Sequence, residues 1–80
     1  MDQLTLELRR IQYVQTRKAA LVLRPDITGA QFDATVRADF APQSPEEWCR
    51  GALTLLATIR AQVEADGRVG VPLDFFGVPR

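Results

Sequence analysis

Residues 30–40 read Ala30-Gln31-Phe32-Asp33-Ala34-Thr35-Val36-Arg37-Ala38-Asp39-Phe40. Apolar residues fall at every even position and polar ones at every odd position. That two-residue period marks a strand with one face in water. It predicts a strand over the whole stretch, with Phe32, Val36 and Phe40 turned toward a core. The rest of the chain is read outward from it.

Upstream, Leu4, Leu6 and Leu8 alternate with Thr5, Glu7 and Arg9, and then Ile11 and Tyr13 fall on the opposite parity. A bulge near Arg9-Arg10 would restore the register. The rival reading is a helix, because Leu4, Leu8, Ile11 and Gln15 share a helical face and Glu, Arg and Gln favour helix. Ala19-Ala20-Leu21-Val22-Leu23 is a short apolar run that suits a central strand. Pro25, with fixed φ and no donor, and Gly29, open to a left-handed turn, predict a loop over 24–29. Residues 1–40 are thus expected to form an antiparallel meander.

Downstream the period changes. Ser44 can cap a helix, Pro45 suits its first position, and Glu47 three residues after Ser44 completes a capping box. Glu46 and Glu47 oppose the positive end of the helix dipole. Trp48, Ala52, Leu55, Leu56, Ile59 and Val63 follow in steps of three and four, one buried face, and Gly67 is placed to end the helix. An apolar sheet face and an apolar helix stripe must cover each other. The expected fold is therefore α+β. Residues 1–80 form a single domain: a three- or four-stranded antiparallel sheet over 1–40 and one amphipathic helix over 44–66 packed on one face. In the remaining stretch, 67–80, Val69, Val71, Leu73 and Phe75 alternate, with Pro72 on the other parity. That pattern suits an extended tail or an edge strand, which tolerates proline.

Eighty residues hold one core, and an apolar share of 46% is that of a folded chain. Ten basic and ten acidic residues cancel, and neither half is a charged tail. No large field steers the protein onto nucleic acid or membrane, and little self-repulsion opposes association. The N-terminus has neither the basic nor the apolar region of a signal peptide, and no apolar run approaches membrane-spanning length. Cys49 is the single cysteine, so no intramolecular disulfide forms. The expectation is a reducing setting, the cytoplasm of a bacterial host. Abundant Arg and Ala, with no Asn or His, fit a GC-rich bacterial or phage genome.

Few groups are available for chemistry. Without histidine no Ser-His or Cys-His pair exists, and the commonest metal ligand is missing. Ser44, the one serine, is assigned to a helix cap. Cys49 lies in early helical turns, where the dipole favours a thiolate but Glu46 and Glu47 oppose it; it reads as a core residue. On a strand, Asp33 and Asp39 would stand about 20 Å apart, too far for a glycosidase-type pair. Asp26 belongs to the Pro-Asp turn, and no glycine-rich phosphate loop is present. The expectation is a protein that is not an enzyme and uses no cofactor and no metal.

What remains is surface. Residues 9–18, Arg9-Arg10-Ile11-Gln12-Tyr13-Val14-Gln15-Thr16-Arg17-Lys18, hold four cations, a tyrosine and no acid. Arg and Tyr anchor protein interfaces, and they also contact phosphates and stack on bases. The plainer reading is a solvated hairpin with arginine stems lying along it. Arg9, Arg10, Tyr13, Arg17 and Lys18 are the candidate partner-binding residues, with Phe75 and Phe76 as hydrophobic alternates. Leu53, off the main stripe, is a further candidate for a contact patch.

The expected function is non-catalytic binding of a macromolecular partner, a protein foremost. In length and compactness the chain resembles the small inhibitors encoded by phages and mobile elements, anti-CRISPR proteins among them. That likeness implies an inhibitor and transfers no residues. The alternatives are a nucleic-acid-binding module using residues 9–18, and a homo-oligomeric structural subunit joined through the outer sheet edge. The expected state is monomer or homodimer, with no membrane partner.

Overall fold

The computed structural model describes residues 2–66, and these form three α-helices: α1 (Gln3–Leu23), α2 (Gly29–Phe40) and α3 (Pro45–Asp66). Among the described residues there is no strand, so the α+β expectation is overturned. The meander over 1–40 is a helical hairpin, and no sheet edge is available for self-association there. The tail at 67–80, with the Gly67 cap, lies outside the described residues.

The stretch 30–40 shows why the alternation misleads. Ala30, Ala34 and Ala38 supplied half of its apolar positions, and all three are exposed. Alanine is the best helix former and commits to neither environment. Without the alanines, Phe32, Val36 and Phe40 recur every four residues, a helical row. Phe32, Thr35 and Val36 are buried, and Thr35 occupies an odd position that a strand would have turned to water. Its hydroxyl donates to the Gln31 carbonyl at 3.0 Å, which makes its burial tolerable.

The start of α2 was written inside the expected loop. The Thr28 hydroxyl accepts from the Gln31 N–H at 3.1 Å, and the Gln31 side chain accepts from the Thr28 N–H at 2.8 Å. This is a complete capping box. At its other end the helix closes on Ala41 in the left-handed region, φ 42°, whose N–H bonds Arg37 O at 3.1 Å.

In α1, Asp2 caps by accepting from the Thr5 N–H at 2.8 Å. That bond holds the Asp2 carboxyl below its ordinary range. The parity slip at Arg9-Arg10 needed a bulge in a strand, whereas a helix needs no correction. Ala19–Leu23, expected as a central strand, forms the last turns of α1, and the Arg24 N–H closes on Ala20 O at 2.8 Å. Arg24 is buried and bound to Asp26 through two bonds of 2.8 and 2.7 Å across the Pro25 turn.

Helix α3 begins on Ser44, whose hydroxyl accepts from the Glu47 N–H at 3.2 Å and donates to the Glu47 carboxylate at 3.2 Å. Its inward face is Cys49, Ala52, Leu55, Leu56, Ile59 and Val63, with Trp48 partly buried. Arg9 meets α3 at Cys49, and Gln15 and Thr16 lie beside Leu53, so α1 and α3 run parallel. Arg37 and Phe40 meet Trp48 and Gly51, so α2 runs back in the opposite direction, packed mainly on α3. At Gly51 an added Cβ would stand 3.1 Å from the Phe40 ring, and this close approach docks the end of α2. The core is Ala20, Phe32, Val36, Ala52, Leu55, Leu56, Ile59 and Val63.

Candidate partner-binding surface

The inward side of α1 is more polar than a core helix face usually is. Tyr13 projects from it toward α2 and α3. Its ring stands edge-on to Phe32, with centroids 6.2 Å apart, and to Trp48, 5.7 Å apart. Its hydroxyl donates to Asp33 Oδ1 at 2.6 Å. Arg17, one turn on, donates to the same carboxylate from Nε at 3.1 Å and from Nη2 at 3.2 Å. The Arg17 guanidinium lies over the first turn of α2, where Gly29 leaves room that a Cβ would occupy. Burial first, and the bond to Asp33 second, raise the Tyr13 pKa far above its ordinary value.

Trp48, fixed in the first turn of α3 behind Pro45, has the Arg37 guanidinium 5.7 Å from its ring centroid. Between α1 and this turn opens a groove of about 360 Å³ lined by Arg9, Arg10, Tyr13, Val14, Pro45 and Trp48. The two aromatic rings with Val14 and Pro45 make it apolar, and the arginines lie at its border. Arg9 Nη1 donates to Gln12 at 2.9 Å, Nη2 stands 4.0 Å from Glu46, and buried Nε has no acceptor among the described residues. Arg10 is exposed and forms no ion pair among the described residues. A second recess, lined by Arg10, Ile11, Val14, Gln15 and Lys18, adjoins the first.

Of the sequence candidates, Arg9, Arg10 and Tyr13 come together in one groove. Lys18 lies further along α1 in the adjoining recess. Arg17 is drawn away, its charge matched by Asp33. Phe75 and Phe76 lie outside the described residues. Leu53 is exposed beside Gln12, Gln15 and Thr16, away from the groove. Sequence reasoning missed Val14 and Pro45, and it assigned Trp48 wholly to the core. A single tryptophan at a helix start, three residues after a proline, was the available signal.

The reactive groups are otherwise engaged. Burial raises the Cys49 thiol pKa, and its Sγ donates to the Arg9 carbonyl at 3.0 Å. Asp33 and Asp39 lie on one helix, not one strand, and Asp33 is held by Tyr13 and Arg17. Among the described residues no group of three or more Cys, Asp and Glu could hold a metal, and no helix is long and apolar enough to cross a membrane. Compared with protein-family models, curated proteins and solved structures, the chain matches none.

Proposed function

We propose that this protein acts without catalysis, by binding another protein through the groove between α1 and the start of α3. The observation that carries the reading is the composition of that groove: Trp48 and Tyr13 within an apolar recess, with Arg9 and Arg10 beside it. Trp, Tyr and Arg dominate binding energy at protein interfaces, above all where apolar surface excludes water around them. Tyr13 and Trp48 are braced by Phe32, Asp33 and Arg37, so little side-chain freedom is lost on binding. The role closest to this format is that of an inhibitor occluding its target.

A pull-down from a bacterial lysate comparing wild type with Arg10→Glu tests it. Arg10 is exposed and makes no hydrogen bond or ion pair with another described residue, so the variant is expected to fold normally and to lose the captured protein. Equal capture by both forms would overturn the assignment of the groove. Capture that depends on intact RNA or DNA, and weakens steeply with salt, would support the nucleic-acid alternative instead.

A further inference from the structure

The side of α1 turned away from the bundle carries an exposed apolar stripe. Leu4 is 69% exposed and Val22 73%, with Leu8, Ile11 and Val14 exposed between them. Soluble monomers rarely leave such a stripe bare. Its residues form two rows with heptad spacing: Leu4, Ile11 and Lys18 in one, Glu7, Val14 and Leu21 in the other. Two such helices laid antiparallel set the first row of each copy against the second row of the other. Leu4 then meets the half-buried Leu21, Ile11 meets Val14, and Glu7 meets Lys18. The two-fold axis repeats each pairing, so every layer matches apolar with apolar or acid with base. A parallel arrangement would set Glu7 against Glu7 and Lys18 against Lys18.

We propose that α1 is the interface of a homodimer, packed antiparallel against α1 of a second copy, with the Glu7–Lys18 pairs fixing its direction and register. Glu7 and Lys18 are both exposed, and neither forms an ion pair with another of the described residues. Leu8 and Val22 flank the seam, and Leu53 of α3, beside Gln15, continues its apolar margin. With a net charge of zero, the copies meet no general repulsion. The proposal does not depend on the groove, which opens on the Tyr13–Trp48 flank and shares only the Arg10–Val14 border with this face.

Sedimentation equilibrium across a wide concentration range tests it with the full chain. Wild type is expected to dimerise reversibly. Glu7→Lys alone and Lys18→Glu alone each turn two attractive pairs into two repulsive ones, and should weaken self-association by about tenfold or more. An equimolar mixture of the two variants restores opposite charges in both pairs, and should form a heterodimer near wild-type strength. A wild-type chain that stays monomeric at every concentration would overturn the proposal. So would a dimer indifferent to both single changes, or a mixture that fails to recover.

Discussion

The Tyr13 hydroxyl ties two helices together, and its ionisation tests the tie. Free tyrosine titrates near 10.0, and in the folded chain the proton is held well above that by burial and by the Asp33 carboxylate. Above pH 10 the unfolded chain therefore releases a proton that the native chain keeps, and stability must fall as pH rises. Below pH 10 the contribution is complete. Tyr13→Phe keeps both ring contacts and deletes only the donor, leaving Asp33 to Arg17. In urea titrations at neutral pH the variant should lose about 1.5–3 kcal/mol, the usual range for a bond to a charged acceptor. The gap between the two proteins should narrow progressively above pH 10. A gap independent of pH would mean that the hydroxyl is not the group responsible.

At the scale of the helix, α2 separates the two readings of residues 30–40. Ala34 and Ala38 face water in a helix, but would face the core in a sheet. Ala34→Gln should change stability by no more than about 0.5 kcal/mol. Phe32→Ala, at a site with no exposure, should cost about 3–5 kcal/mol, a large share of the roughly 4–12 kcal/mol expected for a chain of this length. Thermal melts followed by circular dichroism measure both, and a large loss for Ala34→Gln would contradict the helical register. Helix α3 was legible because its cap and its stripe agree. α2 was not, because alanine satisfies both periods and its capping box joins Thr28 in an expected loop to Gln31 in an expected strand. In α1 Leu4 and Leu8 point outward while Leu21 and Leu23 pack against the core, so the hydrophobic pattern at its start marks surface rather than core. The groove was half legible: Arg9, Arg10 and Tyr13 stand together in sequence, but Trp48 and Pro45 reach them only through the parallel packing of α1 and α3.

Across the whole domain, Cys49 reports on integrity. It is buried where α1 crosses α3, its proton held by burial and its Sγ bonded to Arg9 O. A thiol in that setting reacts only when the helices separate. Its labelling by a disulfide reagent should therefore track unfolding: negligible in the native state, and accelerated by each destabilising substitution above. Rapid labelling of the intact wild type would show that α1 lifts from α3 on its own. The same crossing exposes a choice the chain must make. Rolled half a turn about its long axis, α1 would present Leu4, Leu8, Ile11 and Val22 inward, a greasier seam than the one it uses. That rotamer of the whole rod would strip Asp33 of the Tyr13 and Arg17 donors and strand a carboxylate beside the core. A single shared anion thus works as a keyway, selecting one azimuth for α1 and leaving Leu4 and Leu8 on the outside.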